Sequence, residues 1–72
     1  MKPIFFSRHA IDRILDLRIT EEDIIKAITE GEIKREGKIK FKAIKRTKKG
    51  LIIALCAGYC DHIRVITVMK RR

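Results

Sequence analysis

Apolar residues recur in the first part of the chain with the spacing of an α-helix. Between residues 8 and 17 they fall on one face at 3.6 residues per turn, and Ser7 precedes them as an N-cap. A second helix is predicted over residues 21 to 30, because Thr20 can cap it, acidic residues fill its first turn and Gly31 follows its end. The two-residue link between them predicts a tight helical hairpin.

In the rest of the chain, apolar residues recur with a period of two, which is typical of strands. Residues 38 to 46 alternate lysine with apolar side chains, and residues 51 to 57 form an unbroken apolar run that predicts a central strand. Strands over 32 to 35 and 62 to 69 complete the sheet. We expect a single α+β domain over residues 1 to 72, an N-terminal helical hairpin packed on a three- or four-stranded antiparallel sheet.

Both faces of the expected sheet carry apolar groups. In the central strand, Leu51, Ile53 and Leu55 alternate with Ile52, Ala54 and Cys56. Strict alternation in the last strand puts Thr67 on the face of Val65, and Arg64 on the opposite face. Because two short helices cover only one face of a sheet, we expect a homodimer through the other face, or a complex with a protein partner.

The charge of the chain is concentrated in its second half. The formal net charge is +9, and residues 37 to 72 carry eleven basic side chains against one acidic side chain, Asp61. A positive field on one part of a small fold attracts polyanions and makes their binding salt-dependent. RNA is therefore the expected partner, and a merely solubilising surface is the alternative.

Lys38, Lys40 and Lys42 form a row of lysines on one face of a predicted strand, and their spacing suits RNA binding. Alternate residues of a strand lie about 6 to 7 Å apart on one face, close to the phosphate spacing along a nucleic-acid strand. The same pattern also protects an exposed strand from aggregation. Exposed aromatic residues are scarce, so recognition should be mainly of the RNA backbone. The expected nucleic-acid-binding residues are Lys38, Lys40, Lys42, Lys45 and Arg46.

Acid and base chemistry has one candidate in the first helix. His9 and Arg13 are one turn apart, with Asp16 three residues further on. An imidazole can transfer a proton at a ribose hydroxyl, and a guanidinium can stabilise charge on a phosphate. A surface histidine beside a carboxylate has the same spacing, so the pattern alone does not decide between the two interpretations.

The remaining composition predicts no metal or other cofactor. Cys56, Cys60 and His62 offer only one loose group of ligands, and the two cysteines are expected to be reduced thiols. No apolar run reaches membrane length and the N-terminus lacks the pattern of a secretory signal, so we expect a cytoplasmic protein without a membrane partner. The absence of Asn, Gln and Trp is typical of a thermophilic source.

Four motifs of the chain follow one another in the order seen in a known family, the domain-of-unknown-function 4258 family: a Phe-Ser-x-His-Ala-x-x-Arg motif from Phe6 to Arg13, a helix motif, a Gly-Glu-Ile turn and a Val-Ile-Thr-Val strand, and the chain resembles that family in them. The segment Phe6-Ser7-Arg8-His9-Ala10-Ile11-Asp12-Arg13-Ile14 is similar to the family's opening Phe-Ser-x-His-Ala-x-x-Arg-Met pattern. Matches to its helix around Ile19 to Ile24, its Gly-Glu-Ile turn at Gly31 to Ile33 and its Val-Ile-Thr-Val strand at Val65 to Val68 follow in order. The resemblance covers nearly the whole chain.

The family is similar in turn to RelE-like and ParE-like toxins, some of which are metal-independent ribonucleases. The resemblance implies a RelE-like fold and makes His9, Arg13 and Thr67 the leading catalytic candidates. In a metal-independent endoribonuclease, His9 would transfer the proton while Arg13 and Arg64 hold the scissile phosphate. The alternatives are a non-catalytic nucleic-acid-binding module with the same basic surface, or a toxin-like protein held by an acidic antitoxin-like partner. Where the family carries Arg followed by Gly, this chain has Leu17 and Arg18.

Overall fold

The structure, a computed structural model, describes residues 2–72, which form five strands and two helices. In chain order these are β1 (Ile4–Phe6), α1 (Arg8–Asp16), α2 (Glu21–Glu30), β2 (Glu32–Arg35), β3 (Lys40–Thr47), β4 (Gly50–Gly58) and β5 (Ile63–Arg71). The strands form one sheet in the order β1-β5-β4-β3-β2. Neither described helix has the length and hydropathy that crossing a membrane requires.

The predicted architecture, an N-terminal helical hairpin on a three- or four-stranded antiparallel sheet of RelE-like layout, is wrong. The chain begins with a strand, and β1 pairs in parallel with β5, with Ile4 opposite Ile63 and Phe6 opposite Val65. The sheet is therefore mixed and has five strands. Three residues are too few to show a period of two, and their partner strand lies at the other end of the sequence, so no local pattern predicts this pairing.

The core lies between the two helices and one face of the sheet. Helix α1 packs on β5, and α2 packs on β3 and β4. The largest fully buried side chains are Ile24, Ile52, Cys56, Val65 and Val68. At the end of α2, a Cβ on Gly31 would collide with backbone carbonyl oxygens of Ala27 and Ile44, so this residue lets the helix meet β3 closely.

A capping box fixes the start of α2. The Thr20 hydroxyl accepts a hydrogen bond from the backbone N–H of Asp23, and the Asp23 carboxylate accepts one from the N–H of Thr20. The same carboxylate accepts a bond of 2.8 Å from the Lys49 amine. The hydrogen bond from Lys49 lowers the pKa of Asp23, and the bonds to Thr20 lower it further. Desolvation acts in the opposite direction, but the net shift is downward. This contact also ties α2 to the turn between β3 and β4.

Helix α1 ends in a Schellman motif. The N–H of Ile19 donates to the carbonyl of Ile14, and the N–H of Arg18 donates to that of Leu15. Ile14 and Ile19 are both buried, which supplies the hydrophobic contact of the motif. Arg18 adopts the left-handed conformation, with φ of 56°, at the position where glycine is favoured.

We expect Arg18→Gly to raise the free energy of unfolding by about 0.5 to 1 kcal/mol, because glycine adopts a positive φ without a steric penalty. Denaturant unfolding followed by circular dichroism measures the change. The matched control is Arg8→Gly, which removes the same exposed side chain from the helical part of α1 and should lower stability. A less stable Arg18→Gly variant would contradict the role assigned to this position.

Candidate nucleic-acid interface

The sheet face opposite the helices, here called the open face, is basic at its margins and apolar at its centre. Residues directly opposite each other on neighbouring strands share a face, and Ala43, Ala54 and Val68 face the helices. The positions between them therefore form the open face. Its members on the three longest strands are Lys40, Lys42, Ile44, Arg46, Leu51, Ile53, Leu55, Ala57, Arg64, Thr67, Met69 and Arg71.

A β-bulge in β5 decides which side chains of that strand reach the open face. Leu55 of β4 pairs with Thr67 but the next residue, Cys56, pairs with Val65, so Ile66 is an extra residue. The alternation changes phase at this point. The sequence prediction that Thr67 shares the face of Val65 is therefore wrong, and Thr67 lies on the same face as Arg64.

Arg13 lies where α1 meets the edge of β5. Its Nε atom donates to the Val68 carbonyl at 3.4 Å, and Ser7 Oγ donates to the Ile66 carbonyl at 2.8 Å. Both contacts satisfy backbone groups of β5 beyond the three residues paired with β1. Arg13 thus contacts the residue that follows Thr67, while His9 is exposed in the first turn of α1.

The five residues predicted to bind nucleic acid are divided by the structure. Lys40, Lys42 and Arg46 belong to the open face. Lys45 is on the helix side, where its amine lies 3.5 Å from a carboxylate oxygen of Glu30. Lys38 precedes β3 and lines a helix-side cavity of about 320 Å³ together with Lys2 and Arg35. The period-two pattern continued through residue 38 in the sequence, but the strand begins at Lys40.

Ion pairs leave most of the open face positive. The Lys42 amine lies 3.2 Å from Glu36, and both side chains are partly exposed, so the pair is weak and screened by salt. The other acidic residue of this face in the sheet is Glu32, which pairs with Ile44. Six of the nine acidic residues instead belong to the helices: Asp12, Asp16, Glu21, Glu22, Asp23 and Glu30. Charge is thus separated by face as well as by position in the sequence.

The sequence analysis missed a group of three rings at one end of the sheet. Tyr59 and His62 are stacked with their ring centroids 4.7 Å apart, and Phe5 meets His62 edge to face at 5.7 Å. Phe5 pairs with Arg64 in the β1–β5 ladder and is 56% exposed. The individual residues were visible in the sequence, but the parallel pairing of β1 that brings Phe5 to His62 was not predicted.

The cysteines differ in environment and do not form a metal site. Cys56 is buried in the core and desolvation raises its pKa to about 12, which keeps the thiol neutral, whereas Cys60 is exposed. Across residues 2–72, no three His, Cys, Asp or Glu side chains are grouped so that they could hold a metal ion. His62 Nδ1 is instead bonded to the Asp61 carboxylate at 2.8 Å, and this contact lowers the pKa of Asp61.

These features define a small α+β protein with a basic, uncovered sheet face. Residues 6–70 match the family model of a domain of unknown function, DUF4258, and the chain belongs to that family. This match confirms the family resemblance of the sequence motifs. No curated protein and no solved structure was found to match the chain, and the comparisons show no similarity to RelE-like or ParE-like toxins.

We expect Thr67→Val to change the free energy of unfolding by less than about 0.5 kcal/mol, because its hydroxyl lies on the open face outside the core. The control is Val68→Thr, which places a hydroxyl at a fully buried position and should cost about 1 to 3 kcal/mol. Thermal or denaturant unfolding of both variants checks the assignment. Equal losses in the two variants would make Thr67 a structural residue and remove it from the interface.

Proposed function

We propose that the protein binds RNA through the open face, and that it does so mainly by contacts with the phosphate backbone. The observation that supports this most is a sheet face that carries exposed cations while most acidic residues lie on the helices, on the other side of the sheet. Lys40, Arg46, Arg64 and Arg71 are all exposed there. Cations on alternate residues of one strand, or on neighbouring strands, are spaced so that they can contact successive phosphates of one nucleic-acid strand.

The centre of the open face suits a flexible single strand. Ile53 is only 8% exposed although no helix covers it, because longer side chains from β3 and β5 flank it. The strip is therefore shallow, with half-buried Leu55 and Ile44 beside it. Sugars and base edges can lie against such a surface while the phosphates reach the basic margins.

Ribonuclease activity is a further part of the proposal. Arg64 precedes the bulge at Ile66, and Arg13 bonds to Val68 after it, with Thr67 on the open face between them in sequence. Two guanidinium groups can hold a scissile phosphate and stabilise the charge that develops on it, and the His9 imidazole would transfer the proton. No metal is required for this chemistry. Without His9 in reach of the substrate, the same surface would be a non-catalytic RNA-binding module.

A protein partner would use the same surface. An acidic, antitoxin-like protein would complement the basic margins, and a second copy of the chain would bury the apolar strip around Leu55 and Met69. Both occupants exclude RNA from the open face. A homodimer formed in this way therefore predicts RNA affinity that falls as the protein concentration rises, whereas a monomeric RNA-binding protein does not show this dependence.

A triple variant tests the basic margin. We expect Lys40→Ala, Lys42→Ala and Arg46→Ala together to reduce the slope of log affinity against log salt by about 2, at about 0.7 per phosphate contact of a single strand. Fluorescence anisotropy with a labelled single-stranded RNA over a range of salt concentrations measures the slope.

The matched control removes three cations from the helix side, at Arg8, Lys26 and Lys45, so that the net charge changes equally. This control should change the slope by less than about 0.7, which corresponds to one contact. Equal effects of the two triple variants would show that only net charge matters and would remove the open face from the proposal.

Cleavage is tested by incubating labelled RNA with the protein in EDTA. If the active version of the proposal holds, wild type cleaves without metal and His9→Ala loses cleavage by about 100-fold or more while RNA affinity changes little, since His9 acts on the proton and not on binding. Arg13→Lys is a useful second variant, because it keeps the charge but loses the planar guanidinium. Binding without cleavage by wild type would support the non-catalytic module.

A further inference from the structure

The rings of Phe5, Tyr59 and His62 form an exposed aromatic group, here called the ring cluster. Its geometry is fixed from two sides: the Lys2 amine donates to the Tyr59 carbonyl at 2.8 Å, and the Asp61 carboxylate bonds His62 Nδ1 at the same distance. Phe5 is held by the β1–β5 pairing. Phe5 and Tyr59 nevertheless remain 56% and 38% exposed.

Such exposure is unusual for rings in so small a fold. A chain of 72 residues needs most of its apolar surface for its core, yet two of its four Phe and Tyr side chains are more than a third exposed. The His62 ring lies between them and presents a π-face or an edge to each. Rings held in fixed orientation and open to solvent are the feature on which nucleic-acid bases stack.

The ring cluster is continuous with the basic open face. Phe5 is paired with Arg64 on the adjacent strand, so this ring lies next to a guanidinium that is a candidate for phosphate binding. Lys2 adds a second cation beside Tyr59. A strand of RNA whose phosphates follow the basic margin of β5 would thus bring its bases to the rings at the end of the sheet.

We infer that the ring cluster is a base-stacking site and that the ligand class of the protein is single-stranded, not duplex, RNA. This inference rests on the proposed RNA binding at the open face. In a duplex the bases are already stacked on their neighbours, so the rings gain no contact with them. In a single strand an unpaired base can stack on Phe5 or Tyr59, and each such contact adds affinity that does not depend on sequence.

The experiment compares a 12-nucleotide single-stranded RNA that contains 2-aminopurine at its centre with the duplex of the same sequence. We expect wild type to prefer the single strand, with a change in 2-aminopurine fluorescence and quenching of Tyr59, which is the only tyrosine of a chain without tryptophan. Phe5→Ala and Tyr59→Ala should each lower single-strand affinity by about 5- to 150-fold. Neither should alter the salt slope, because neither removes a charge.

Two control variants test whether a loss of affinity comes from lost stacking, and not from misfolding or from the loss of any exposed apolar side chain. Tyr59→Phe keeps the ring and should retain affinity, whereas Leu15→Ala removes a 70% exposed apolar side chain from α1 and should have no effect. If wild type binds the single strand and both ring variants bind it equally well, the stacking site is refuted and backbone binding stands. Equal affinity of wild type for single strand and duplex also refutes it. If wild type binds neither RNA, the proposed function itself fails.

Discussion

The position of α1 depends on the unpaired backbone groups at the edge of β5, which lie beyond its short pairing with β1. β1 covers only three residues of this edge, and backbone carbonyls further along the strand need donors. Helix α1 supplies them with the Ser7 hydroxyl and the Arg13 guanidinium. In return, the Lys70 amine of β5 donates to the Leu17 carbonyl at the end of α1. The helix thus replaces the missing continuation of β1, and this fixes where α1, and with it His9, lies on the sheet.

The contact between the start of α1 and the edge of β5 also involves the bulge, which decides which β5 side chains reach the open face. The Ser7 hydroxyl accepts the N-terminal hydrogen bond of α1 from Ala10 and also donates to the carbonyl of the extra residue, Ile66. The turn from strand into helix and the bulge in β5 are therefore tied through one side chain. Because the bulge reverses the alternation, the buried Val65 and Val68 can both face the helices while Arg64 and Thr67 both face outwards. A regular strand would separate these two candidate residues.

Sequence patterns predicted what depends on near neighbours in the chain. The bounds of the two helices and of the last four strands differ from the predicted ranges by at most two residues, because caps and periods are local signals. The parallel strand β1 and the bulge at Ile66 depend on pairing with distant segments, and neither has a local pattern. The predicted row of Lys38, Lys40 and Lys42 is also shorter than expected, because β3 begins at Lys40 and Lys38 lies beside the helix-side cavity. The sequence also shows few aromatic residues without indicating that the fold gathers three rings at one end of the sheet.

The two proposed modes of RNA contact respond differently to solution conditions. Attraction between the open face and phosphates is screened over about 8 Å at physiological ionic strength, and its contribution to affinity falls with every increase in salt. Stacking on Phe5 and Tyr59 needs contact with a ring and is little affected by salt. Under this proposal, the backbone contacts would bring the RNA to the sheet and orient it, because the uncovered face offers only a few cations. The ring cluster would then determine how much affinity remains when salt is high, and it would restrict the ligand to strands whose bases are free to stack.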